Sequence, residues 1–154
     1  MEHTVSISPE LIRARVKATS ALHAYMNNPG LRYLNDDDDP ALNQAMTFAF
    51  TNAMIHLSHW VGNYTVSPTD FNRQPDSSLS LSADFSVDNT GAINWTLVTG
   101  ALNEYIADYI MSELWAHCQL GKIYSQRAAE SLARLTECFT LPATGALPRI
   151  ARTI

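Results

Sequence analysis

A mainly α-helical domain, bundle-like and built from four helices with an inserted β-hairpin and an extended C-terminal tail, is predicted by three features of the sequence. Apolar residues recur at spacings of three and four over four long stretches, each bounded by Ser, Asp, Pro or Gly. One short stretch, Leu79 to Phe85, alternates strictly between apolar and polar residues instead. Beyond Thr140 the periodicity stops, which divides the chain into a helical unit over 1–140 and a tail over 141–154.

The first helix is predicted to start at Ser8, a good N-cap, with Pro9 in the first turn and Glu10 at the positive end of the dipole. Ile12, Val16, Thr19, Leu22 and Met26 form its inward stripe, Arg13, Arg15 and Lys17 lie on other faces, and Asn27-Asn28-Pro29-Gly30 ends it. The run Asp36-Asp37-Asp38-Asp39-Pro40 opens the second helix, with Asp39 as cap, and that helix is expected to reach Val61. Leu42, Met46, Phe50, Met54, Leu57 and Trp60 are among its apolar positions, and from Pro40 to Val61 it contains no Lys, Arg, Asp or Glu. A helix so lightly charged has to be covered by other elements or by neighbouring subunits.

Gly62 stops that helix, and Ser67-Pro68 through Arg73-Gln74-Pro75-Asp76 reads as a loop. The alternating stretch is a strand burying Leu79, Leu81, Ala83 and Phe85, followed by a turn at Asp88-Asn89-Thr90-Gly91. Ile93-Asn94-Trp95 is either its return strand or the lead into the next helix. An isolated hairpin is marginal, so it must pack on helices or pair across subunits. The third helix is expected from about Trp95 to Leu120, with Val98, Leu102, Tyr105, Ile106, Ile110 and Trp115 on its apolar face and Glu104, Asp108 and Glu113 on its wetter side. Gly121 ends or bends it, and Ser125 caps a fourth helix carrying Ala128, Ala129, Leu132, Leu135 and Phe139. Leu141-Pro142 closes the fourth helix.

Composition narrows the function. The chain has 154 residues, of which 46% are hydrophobic and only 16% charged, against about 25% charged in a typical soluble domain. Such a surface is suited to meeting a partner. A net charge of −5 argues against a protein whose main affinity is for nucleic-acid phosphate. The first residues lack the basic start and apolar core of a secretory leader, and no apolar run is long enough to span a membrane, so the protein is expected to stay inside the cell that makes it, with no membrane partner. Cys118 and Cys138 are too few and too far apart for a disulfide scaffold or a zinc motif, and both read as buried reduced thiols.

Candidate chemistry is sparse. His56 and His59 stand at i, i+3 and His117-Cys118 could add ligands from another helix, but no carboxylate accompanies them on the second helix, so no metal is expected. The Asp36 to Asp39 run lacks the Gly and Glu of a calcium loop, whose sixth and twelfth positions here are Ala41 and Thr47. Asp36, Asp37 and Asp38 read as carboxylates at a helix N-terminus, with contact to a basic partner as the other reading. Leu141-Pro142-Ala143-Thr144-Gly145 matches a sortase pattern without a membrane stretch after it, and the triplets at Asn63 and Asn94 match a glycosylation pattern without secretion. Phosphate loops, nucleophile elbows and zinc-protease motifs are absent, and no catalytic residue or cofactor is expected.

Taken in order, the capped first helix, the acidic run before an apolar second helix, the Leu-Ser-Leu-Ser strand, the Tyr/Ile/Trp-rich third helix, the Ala/Leu fourth helix and the Pro/Arg tail resemble small virion proteins of phages and prophages of gut Bacteroidales. The layout, from about Ser8 to Phe139, is also similar to head-to-tail connector proteins. The resemblance implies a non-enzymatic subunit repeated in a ring, commonly twelvefold, between the portal protein on one side and a tail or neck protein on the other. It implies a location in the virion neck after synthesis in the host bacterial cytoplasm, and DNA that passes through the lumen without being gripped. The tail would order against a neighbour or the portal, with Leu147, Ile150 and Ile154 as anchors and Arg149 and Arg152 as charged contacts. A tail terminator or neck completion protein is the nearest alternative, and a cytoplasmic helical module that binds a ligand or partner is the alternative from another class.

Overall fold

The computed structural model describes residues 2–26, 34–67, 79–88 and 92–144. The elements in order are β1 (Glu2–Ile7), α1 (Pro9–Met26), α2 (Asp39–His56), β2 (Val61–Ser67), β3 (Ser80–Ser86), α3 (Trp95–Leu114) and α4 (Gln119–Thr144), with a 3-10 turn at Asp36–Asp38 before α2. The mainly helical class and the four helices are those the sequence predicts.

The sheet is larger than a hairpin and differently paired. Its order is β1-β3-β2, with both neighbours antiparallel to β3. Leu81, Ala83 and Phe85 are buried as the alternation requires, and opposite them on β1 stand Ile7, Val5 and His3. Ile93-Asn94-Trp95 is not a return strand. Asn94 is the N-cap of α3, its side-chain oxygen accepting from the Leu97 amide at 3.2 Å. On the other flank, Val61, Tyr64 and Val66 face Phe85, Ala83 and Leu81, with a bulge at Gly62 that shifts the register between Val61 and Asn63.

The helix boundaries move for physical reasons. α2 ends at His56 rather than Val61, because the chain turns at Leu57 to Trp60 and enters the sheet. α3 ends at Leu114 and α4 already starts at Gln119, so Ser125 lies inside α4 rather than capping it. Between them the chain reverses tightly through Trp115 to Cys118, and α3 and α4 run antiparallel as the most extensive helix pair. α4 continues through Leu141-Pro142 to Thr144, past its expected end. A proline this close to a helix terminus removes one amide donor with no long segment of helix after it.

The core is one cluster shared by all layers, with Met46, Phe50, Leu57, Leu81, Phe85, Leu102, Ile106 and Leu135 almost wholly buried. On α1 the inward stripe is Ile12, Val16, Ser20 and Ala24, while Leu22 and Met26, expected inside, are exposed. Ser20 is drawn in by hydrogen bonds: its hydroxyl donates to the Lys17 carbonyl and accepts the Leu34 amide, both at 2.9 Å. Among the described residues no helix is long and apolar enough to cross a membrane.

Candidate functional site

Two features stand out, an outward helix surface with exposed apolar side chains around a single exposed arginine, Arg15, and a cleft beside a largely buried carboxylate. The surface comes first from periodicity. Leu11 and Leu22 are three turns apart on α1 with Ala14 and Ala18 between them, and all four, with Tyr25, are exposed. On α2, Phe48 is 59% and Ile55 64% exposed, two turns apart on the face opposite Met46, Phe50 and Ala53. Lys17 on α1 pairs with Asp39 on α2 at 2.6 Å and Arg13 donates to Asn43 at 2.6 Å, so the two helices lie side by side.

The acidic run is tied up locally. Asp38 is the N-cap position of α2 but makes no side-chain bond to the helix; its carboxylate accepts the Asn35 amide at 2.9 Å. Asn35 in turn accepts from the Asp37 amide at 2.9 Å, and Asp39, the expected cap, sits inside the first turn. Asp37 stays exposed, and the Asp36 side chain lies outside the described residues. The other expected contact residues, Leu147, Arg149, Ile150, Arg152 and Ile154, also lie outside them.

The histidines and thiols take separate places. His56, exposed at the end of α2, meets the Thr136 hydroxyl at 3.3 Å, and His59 lies edge-on to the Trp60 ring. Cys118 donates weakly to the Trp115 carbonyl at 3.5 Å, and burial together with the Glu137 charge pushes the Cys138 thiol above its ordinary pKa. Both cysteines are free and half-buried. Among the described residues no group of three or more potential ligands comes together that could hold a metal ion.

The cleft was not legible in the sequence. It has a volume of about 90 Å³ and lies where α1, α3 and α4 meet, lined by Arg15, Val16 and Thr19, by Ala107, Asp108 and Met111, and by Tyr124 and Arg127. Asp108, expected on the wet side of α3, is only 5% exposed. Desolvation raises its carboxyl pKa, against the attraction of Arg127, Arg15 and Arg134 and with the repulsion of Glu104. Three other buried polar side chains are satisfied: Ser20 as above, Asn43 by Arg13, and Ser131 by Arg134 at 3.0 Å. Asp108 alone of these four has no hydrogen bond or ion pair among the described residues. Beside it, the Tyr124 hydroxyl meets His23 Nε2 at 2.9 Å and the Arg127 guanidinium lies 5.3 Å over the Tyr124 ring. The signal that could have found the site is the two arginines at helical positions facing a carboxylate inside an otherwise apolar stripe.

Comparison with protein-family models, curated proteins and solved structures returns no match.

Proposed function

We propose that this chain is a structural, non-enzymatic head-to-tail adaptor of a phage virion, repeating around a ring between portal and tail. The observation that carries the reading is the outward surface of α1 and α2, where Leu11, Leu22, Tyr25, Phe48 and Ile55 are exposed and Arg15 is the one exposed charged residue between Leu11 and Leu22. The occupant of that surface is a second copy of the chain. Copies carrying −5 each repel, and from Pro40 to Val61 no carboxylate is present, so this is where like copies can approach without that penalty. The α1 face of one copy against the α2 face of the next is a heterologous contact, which closes into a ring when the rotation allows.

In this reading the ring is twelvefold and sits in the virion neck, with the portal protein at one end and a tail or neck protein at the other. The acidic subunit lets DNA pass without gripping it, because phosphate contacts need Lys and Arg. Of the C-terminal tail, 141–154, Leu147, Arg149, Ile150, Arg152 and Ile154 are the proposed contacts with a neighbouring subunit or the portal protein.

Sedimentation velocity and native mass spectrometry of the full chain test it. A closed ring, or a larger species formed with the portal protein, is expected, and Phe48→Asp or Leu22→Asp should shift it towards the monomer. A chain that remains monomeric at every concentration, with or without portal, and is unaffected by these substitutions overturns the reading.

A further inference from the structure

We propose that the cleft between α1, α3 and α4 binds a small oxyanion that carries its own proton, of the hydrogen phosphate type, with Arg15 and Arg127 holding its charged oxygens and Asp108 accepting its O–H. This is independent of the adaptor reading and rests on the cleft alone.

A carboxylate set into a largely apolar wall gains from any partner that hydrogen-bonds it there. Asp108 as a residue is only 5% exposed, and its carboxylate oxygens keep contact with solvent, since the fully buried side-chain oxygens without a hydrogen bond among the described residues are those of Asp39 and Asn103. Arg15 from α1 and Arg127 from α4 line the same cleft and act on Asp108 electrostatically, yet neither comes within ion-pair distance of it. The space between the three suits a group that can satisfy both signs of charge. About 90 Å³ holds a tetrahedral oxyanion or several waters.

Each simpler ligand class leaves one side unmet. A cation would suit Asp108 and be repelled by two guanidinium groups. A fully deprotonated anion would suit the arginines and meet the carboxylate head-on. An oxyanion with a hydroxyl presents acceptor oxygens to Arg15 and Arg127, which bind such groups through planar forks of N–H donors, and a donor to Asp108. Thr19 lines the wall and adds a hydroxyl donor. The groups facing Asp108 are Arg15 from α1, Glu104 on its own helix, and Arg127, Arg134 and Tyr124 from α4, with Tyr124 held by His23. As pH falls through the raised pKa of Asp108, its carboxyl becomes a donor and the discrimination against proton-free anions is lost.

Isothermal titration of the full chain with inorganic phosphate and, at matched ionic strength, with sulfate decides the matter, since sulfate has the same shape and no proton. At neutral pH the chain should bind one phosphate saturably and sulfate at least about tenfold more weakly, the scale of one charge-assisted hydrogen bond. Arg15→Gln and Arg127→Gln should each weaken phosphate about tenfold or more. Asp108→Asn should bring the two ions to similar affinity, with circular dichroism confirming the fold. Should Asp108→Asn not fold, the wild-type chain supplies the same readout, because its sulfate affinity should rise as pH is lowered. Absence of saturable phosphate binding to the folded chain overturns the proposal, as does equal binding of phosphate and sulfate by the wild type at neutral pH.

Discussion

Gly121, in the first turn of α4, packs directly against the main-chain carbonyl of Trp115, which occupies the place a β-carbon at position 121 would need. This contact explains how α3 and α4 reverse within the few residues from Trp115 to Cys118. Main chain rather than a flexible side chain is the obstacle, so the neighbour cannot swing aside. Trp115 is itself fully buried, with His23 edge-on to its ring at 5.2 Å and Tyr124 tilted against it at 5.9 Å.

Gly121→Ala should therefore lower stability by about 1–3 kcal/mol, the usual cost of forcing a group into a filled site. Helix propensity alone would favour alanine by about 1 kcal/mol, so the sign of the change separates the two effects. Urea denaturation followed by far-UV circular dichroism reads it directly.

Ser20 offers a second test, because one hydroxyl serves two buried groups. It accepts the Leu34 amide across the connection from α1 to α2, at 2.9 Å, while donating to Lys17 within α1. Ser20→Ala leaves the Leu34 amide buried and unpaired, which should cost about 1–3 kcal/mol. Hydrogen exchange at Leu34 should accelerate by more than the global loss of stability predicts, since the break is local.

What the sequence revealed and what it hid divide along periodicity. The buried positions of β3 and most of those on α3 were legible, because Leu81, Ala83 and Phe85 alternate and Val98, Leu102, Tyr105 and Ile106 follow a helical stripe. β1 also alternates, with His3, Val5 and Ile7 facing inward, but six residues at the start of a chain are a short signal beside an 18-residue helix. β2 was illegible for a different reason: the bulge at Gly62 puts Val61, Tyr64 and Val66 on one face at unequal spacing, which no period of two detects. Hydrophobicity places Leu22 in the α1 stripe, whereas the hydrogen bond to the Leu34 amide turns Ser20 inward and leaves Leu22 exposed. Asp108 was misplaced in the same way, its position on the helix face fixed by packing of α1 and α4 that a single helix does not reveal.

The Asp108 carboxyl makes stability depend on pH with a definite sign. Its pKa in the folded chain is raised by desolvation, so between the unfolded and folded values the native state binds more protons than the unfolded state. Stability contributed by this group is then present at low pH and is lost as pH rises through the folded pKa. Asp108→Asn should remove that dependence. In phosphate-free buffer the variant should be more stable than wild type above the raised pKa, with the difference shrinking as pH falls through it. Chemical denaturation at a series of pH values from acidic to neutral checks both the sign and the window.

Phe139 is where the sheet, α3 and α4 are joined. Its ring stacks on Phe85 of β3 at 4.9 Å and on Trp60, before β2, at 5.3 Å, and it lies across Trp95 at the start of α3 at 6.0 Å. Trp95 in turn is stacked by His3 of β1 at 4.0 Å, so the one side chain from α4 touches a chain of rings that reaches every strand of the sheet or its immediate flank. Phe139→Ala should cost about 3–5 kcal/mol through lost burial and an unfilled space among three aromatic rings. Phe139→Leu keeps most of the volume and loses the stacking, so it should cost less, about 1–2 kcal/mol. If these rings hold the sheet to the helices, the alanine variant should also lose near-ultraviolet circular dichroism from tryptophan under conditions where its helix content is retained. Equal loss of both signals would instead place Phe139 in the same cooperative unit as the helices, with the sheet unable to detach on its own.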